Sequence, residues 1–404
     1  MTIKKYQTLK GLYYQNMQNG DFVHFDTVVK QRQTNELAIH TGMVMSPFKR
    51  DYRLPIEYEI FYLPVLQISQ LEEQINQLSK EIEQKMAQLP VVSQNQIFIS
   101  NLIDELQSTN DIEGVRSSRE EISQVIEQIQ RRKGDRGRFS GLVKQYAKFE
   151  ENQYSQIREI QDFRNIWNEL VSQEVAEQDF PDGKYFRKNG EVIKDGDRVV
   201  HRGDANEQQI DHDLQVLVQT MNNDDIPSLA KCFLSHYYYE YIHPFYDGNG
   251  RTGRFIVCSY LARKLDRMSA INFSSTIVAH KSTYYKAFTA MADEHNYGEG
   301  TGFVISMMRL LMMGQVEVAK KLDHGIQMLD KADQLTEQQH FSDLEQQALF
   351  ILCQKAIFGR YVGPITDQDL TDIMHISRYR LDQTLAKLVN DDYLVVTRVR
   401  LKTT

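Results

Sequence analysis

The chain has 404 residues, 41% of them hydrophobic and 25% charged, with a formal net charge of −8. That length predicts two or three domains with enough apolar residues for packed cores. The acidic balance excludes bulk polyanion binding, so any nucleic-acid surface has to be local. Only 8 prolines and 21 glycines argue against long disordered linkers. Cys232, Cys258 and Cys353 lie far apart without metal-ligand spacing and fit reduced thiols. The opening MTIKKYQTLKGLYYQNM lacks the apolar core of a signal peptide, and no apolar run reads as long enough to span a bilayer. A cytoplasmic location is expected.

In chain order, residues 1–94 read as a mixed, partly helical region. Residues 57–66 (EYEIFYLPVL) suit a strand or a buried turn, and Leu71, Ile75, Leu78 and Ile82 form one apolar helical stripe that Pro90 ends. A second apolar-periodic segment over 97–106 runs into STNDIEG, and residues 142–175 carry a further helical pattern with the only tryptophan, Trp167. Gly, Asp and Asn punctuate the stretch around Val192–Ile193 and Val199–Val200, which predicts a β-hairpin. Helices dominate again from 210 to about 328. From Phe341 the pattern is helix (344–356), short helix (366–374), turn, helix (378–388) and a strand pair (393–401), a winged helix-turn-helix over 341–404.

Residues 243–254 read HPFYDGNGRTGR. Apolar pairs before them repeat with helical spacing, and Pro244 disfavours helical geometry at His243. A helical pattern resumes after Gly250. A helix, a glycine-rich loop and a helix N-terminus make an anion site, because orphan amides and the helix dipole both favour negative charge there. Gly248 and Gly250 let backbone approach a phosphate. Arg251 and Arg254, one turn apart, can reach one polyphosphate. Asp247 suits Mg²⁺ shared with phosphates, His243 is a candidate base, and Asn249 can donate an amide to a developing charge. Taken singly, His243 is more often structural and the two arginines more often a solvated helix face; jointly they point to phosphate chemistry. Gly248, Gly250 and Gly253 also spell G-x-G-x-x-G, but a dinucleotide fingerprint needs a preceding strand, and a Walker A loop needs a Lys-Ser/Thr ending. Both are absent.

HPFYDGNGRTGR resembles the Fic family motif, H-x-F-x-D/E-G-N-G-R-x-x-R, at every defined position. The resemblance extends over roughly 95–320 and implies a mainly α fold: a Fic-type helical core with a small β-hairpin flap, followed by the winged module. Residues 95–330 would be the catalytic domain. The resemblance implies transfer of AMP from ATP to a Ser, Thr or Tyr hydroxyl of a target protein, self-modification included. His243 would deprotonate that hydroxyl and Asp247 would hold Mg²⁺. Gly248, Asn249 and Gly250 would bind the inner phosphates, Arg251 and Arg254 the outer ones, and Phe245 would anchor the loop. Thr252 and Gly253 belong to the same nucleotide-binding run. The Doc-like kinases of this superfamily carry Lys where this chain has Gly250, which disfavours phosphorylation.

Thr109 to Gly114 (TNDIEG) resembles the family's inhibitory motif, S/T-x-x-x-E-G/N, on a helix expected near 103–118. Glu113 would pair with Arg254 and repel the γ-phosphate. The plainer alternative is a helix cap at Ser108 with Asp111. Tyr285 matches a family tyrosine that lines the adenine pocket, although Ala292 stands where the family often has Asn. The plainer reading of Tyr284 and Tyr285 is two core aromatics, and His236 and Glu240 read as packing residues. Val192 and Ile193 read as flap residues that hold a target segment by strand addition.

In the C-terminal module the basic residues are matched by acids, and Ser377, Arg378, Tyr379 and Arg380, with Arg398 and Arg400 on the wing, form its local basic patch. DNA contact there and protein docking both remain open, as does a homodimer. Two further functions compete: AMP removal with Glu113 orienting a water, and a nucleotide-sensing DNA-binding regulator, against which an intact His243 argues.

Overall fold

Helical periodicity over most of the chain yields helices wherever the pattern is strong, in a computed structural model that describes residues 6–20, 22–130, 137–359 and 365–395. The elements in order are α1 (Leu9–Asn19), α2 (Phe22–Gln33), β1 (Ile39–Met45), β2 (Phe48–Lys49), β3 (Tyr52–Arg53), β4 (Tyr58–Tyr62), α3 (Leu66–Gln88) and α4 (Val91–Ile112). Then come α5 (Arg119–Gln130), α6 (Ser140–Ala147), α7 (Ile160–Leu170), β5 (Val192–Asp195), β6 (Arg198–Arg202), α8 (Glu207–Met221), α9 (Ser228–Ile242) and α10 (Asn249–Lys264). The last are α11 (Arg267–Ala270), α12 (Phe273–Ala279), α13 (Lys281–Met291), α14 (Thr301–Glu337), α15 (Asp343–Phe358), α16 (Asp367–Met374) and α17 (Arg378–Asn390). The fold is mainly α, with three small antiparallel strand pairs among the described residues. Two compact units divide the chain: 1–83 with 101–319, and 84–100 with 320–404. These bounds differ from the three consecutive segments expected from sequence.

In the first unit α9 is the central helix. Every residue of it except Ser228 and Glu240 is buried, as expected of a helix apolar on all sides. It packs between α8 and α10, and α10 is buried almost throughout. Of the strand or buried turn expected over 57–66, the strand is found, as β4; it pairs with β1, whose Met43 and Met45 face inward. The predicted hairpin is β5–β6, with Val192 opposite Arg202 and Ile193 opposite His201. β2–β3 lies beside β6, where Arg202 Nε donates to the Asp51 carbonyl at 2.7 Å.

Three expectations need correction. The run over 142–175 is two helices, α6 and α7, because a 3₁₀ turn ends at Asn152 with φ 57°. α4 passes through Ser108 and Asp111 and stops at Ile112. Ser108 is therefore no N-cap, and Glu113 lies in the helix's final turn, closed by Gly114 at φ 71°. Lastly, α14 is long and apolar enough by length and composition to cross a membrane, with mean hydropathy 1.3 over its most apolar window; 61% of that window is buried inside the protein.

In the second unit α15, α16 and α17 enclose Leu349, Ile351, Leu370, Met374, Leu381 and Leu388. Capping boxes open α15 at Ser342 and α16 at Thr366, and His375 turns the chain between α16 and α17 at φ 52°. Most of the strand pair expected over 393–401, with Arg398 and Arg400, lies outside the described residues. Ser377 caps α17, and Arg378 is paired with Asp367 (2.5 Å) and Asp382 (2.9 Å).

Candidate active site

α9 stops where Pro244 forbids another helical residue. His243 takes the left-handed conformation, φ 54° and ψ 64°, with its amide still donating to Tyr239 O at 3.0 Å. The loop is then pinned from below. Phe245 is fully buried, stacked on Trp167 with ring centroids 5.0 Å apart. Trp167 Nε1 donates to the Asp247 carbonyl at 2.8 Å. Asn249 closes the turn on itself: Oδ1 accepts the Phe245 amide at 2.9 Å and Nδ2 donates to the Phe245 carbonyl at 2.7 Å. Gly248 sits at φ 82°, where a Cβ would stand 2.7 Å from Val171 Cγ2. The result is a fixed loop that leads into the first turn of α10, whose amides lack intrahelical partners.

His243 is partly buried at the mouth of this loop. Burial pushes its imidazole down to about 3, with Arg187 and Arg53 adding to the shift against a hydrogen bond to the Glu240 backbone. The ring is therefore neutral at physiological pH, as a general base must be. Arg187 Nε donates to the His243 carbonyl at 2.7 Å. From the flap, His201 comes within 6.4 Å of the His243 ring and binds the Tyr241 carbonyl at 2.8 Å. Val192 and Ile193 lie on β5, the latter opposite His201.

The two arginines of the motif have different partners. Arg251 is buried, with Nη1 2.9 Å from Glu174 and Nη2 3.5 Å from Asp247. Asp247 itself accepts the Gly248 amide at 2.5 Å, yet its side chain is 43% exposed. Arg254 is claimed by α4. Nε donates to Thr109 Oγ1 (2.9 Å), and Nη2 donates to Thr109 O (3.0 Å) and Glu113 Oε1 (2.9 Å). The Glu113 carboxylate presses so close to Gly250 that a Cβ there would collide with it. A carboxylate thus stands at the α10 N-terminus, on the arginine expected to take a phosphate. Beneath Arg254, burial lifts the Glu240 carboxyl to about 8, against the pull of Arg254 and with the push of Glu113.

His243, Asp247, Gly248, Asn249, Gly250, Arg251, Arg254 and Glu113 therefore converge. Asn249 uses its Oδ1 and one Nδ2 hydrogen to close the loop on Phe245, which leaves its second amide hydrogen for other partners. Thr252 is fully buried, and Gly253 abuts Tyr239 and Glu240; both face α9 and not the mouth. Tyr285 is 48% exposed while Tyr284 is buried and bonded to His236 at 2.8 Å, so only one of the pair is a core aromatic. At Ala292 the carbonyl accepts the Phe48 amide at 2.8 Å. Arg187, Glu174 and the loop-holding role of Trp167 were missed; their contacts span long sequence separations and leave no local pattern. Among the described residues no group of three or more His, Cys, Asp or Glu converges on a metal position. The half-exposed Asp247 carboxylate fits a Mg²⁺ that takes its other ligands from phosphate and water.

A solved Fic family protein from Desulfovibrio desulfuricans G20 is similar at 19% identity and a TM-score of 0.48, over 85% of this chain and 92% of that one. Residues 153–261 match the model of the Fic/DOC family. That segment contains the whole loop from His243 to Arg254, so the match to the Fic/DOC family rests on the domain that carries this loop.

Proposed function

We propose that this chain is an autoinhibited protein adenylyltransferase that moves AMP from ATP to a protein hydroxyl. The observation that carries the reading is the Glu113 carboxylate at Gly250, paired with Arg254 at 2.9 Å. Nature's usual occupant of a helix N-terminus flanked by a free guanidinium is a phosphate, and here a side-chain anion stands in its place. In the released state the α10 amides and Arg254 hold the polyphosphate. His243, neutral, accepts the proton of the target hydroxyl. The hydroxyl oxygen forms a bond to the α-phosphorus as the bond to the bridging oxygen breaks, and pyrophosphate leaves. Mg²⁺ on Asp247 would neutralise phosphate charge. The β5–β6 flap would hold the target segment by strand addition. Reversal, with Glu113 orienting a water to remove AMP, draws on the same carboxylate, which is 25% exposed.

The test is His243→Ala in a Glu113→Gly background. Protein labelling from ATP should vanish while calorimetry still finds ATP bound. ATP affinity lost in step with labelling would remove His243 from the role of base.

A further inference from the structure

We propose that Arg187 is a positioning residue for His243: its guanidinium clamps the peptide carbonyls before and after the His243 Cα and so fixes the turn that presents the imidazole. The inference rests on the reading of His243 as the base.

Arg187 is fully buried. It gives hydrogen bonds to four main-chain carbonyls: Nε to His243 (2.7 Å), Nη2 to Ile242 (3.1 Å), and Nη1 to Asp204 (2.6 Å) and Asn189 (2.5 Å). Its own amide donates to Pro244 O at 3.2 Å. Burying a guanidinium is costly, and apolar packing of similar volume is often as stable, so a cation spent on main-chain carbonyls, two of them at the His243 turn, calls for a reason. The reason is at hand in the backbone of His243, a non-glycine residue at φ 54°. Such conformations persist only where the surroundings over-determine them. Gly203 leaves room for the clamp, since a Cβ there would run into the guanidinium and stand 3.0 Å from His243 Cβ. The same placement keeps a fixed positive charge beside the imidazole, which opposes its protonation.

The experiment compares Arg187→Lys and Arg187→Met in the Glu113→Gly protein. It measures kcat per calorimetrically counted ATP site, KM for ATP, and the His243 ring titration by nitrogen NMR. Misplacement of a catalytic group by about 1 Å can cost roughly 100-fold, so both variants should lose about 10- to 100-fold in kcat per ATP site with KM for ATP unchanged. The Met variant should also titrate His243 at higher pH, and the Lys variant, which keeps the charge, at the parent value. Arg187 as mere scaffold would lower the number of ATP sites and leave kcat per site intact, and that result overturns the proposal. So does an unmoved His243 titration in the Met variant. Should Met fail to fold, the kcat split of the Lys variant decides alone. Should the Glu113→Gly parent transfer nothing, the adenylyltransferase reading fails, and the ring titration by itself decides the placement of Arg187.

Discussion

Replacing Glu113 separates inhibition from helix structure. Arg254 is 2% exposed and holds Glu113 Oε1 at 2.9 Å, with the Glu113 side chain 25% exposed. A hydrogen bond to a charged group contributes about 1.5–3 kcal/mol net, and about 1.4 kcal/mol is a factor of ten. Glu113→Gln should therefore raise AMP transfer, including self-modification, by roughly 10- to 100-fold at limiting ATP. Arg254 keeps both bonds to Thr109 in the variant, so the guanidinium stays aimed at the mouth. Because α4 ends at Ile112, Glu113 is not in a helix interior, and Glu113→Gly should activate to a similar extent. The assay is the initial rate of label incorporation against ATP concentration. If neither variant is faster than the parent, and Arg254→Ala leaves the parent rate unchanged, the pair has no inhibitory role.

Three further outcomes follow from the geometry. Asp247→Ala should abolish Mg²⁺-dependent transfer while leaving the melting temperature near the parent value, since the side chain is 43% exposed; full activity in Mg²⁺ would remove the metal from Asp247. Gly248→Ala forces a Cβ into a φ 82° site against Val171 and should cost about 1–3 kcal/mol in denaturant unfolding. Glu240 has a folded pKa of about 8, raised from 4.5 chiefly by burial. Its folded state binds the proton more tightly, so its contribution is fully present below pH 4.5 and is lost as pH rises through 8. Glu240→Gln should therefore gain melting temperature relative to the parent between pH 5 and pH 8, and a constant difference would refute the assignment.

The loop was legible because its chemistry is local. His243, Asp247, the glycines and the arginines stand in one run, and a proline beside a glycine-rich turn announces where a helix must stop. Glu113 was legible only through resemblance, since 141 residues separate it from Arg254. Trp167 reads as any buried aromatic until Asp247, 80 residues on, supplies its acceptor. Arg187 sits in a polar stretch whose composition says loop, and nothing there shows that its partners are carbonyls. The alternative of a cap at Ser108 fails because capping residues also occur inside helices when tertiary packing carries the helix onward. Thr252 and Gly253 were swept in by adjacency, although helical rotation turns them toward α9. The apolar stretch of α14 was overlooked, its polar flanks masking a window that the core buries.

The central claim is most directly tested by incubating the Glu113→Gly protein with ATP labelled at the α- or at the γ-phosphate and counting label on protein. Transfer of AMP predicts protein-bound α-label, no protein-bound γ-label, and loss of the signal with His243→Ala. Protein-bound γ-label, or no α-label above the His243→Ala background, would contradict it.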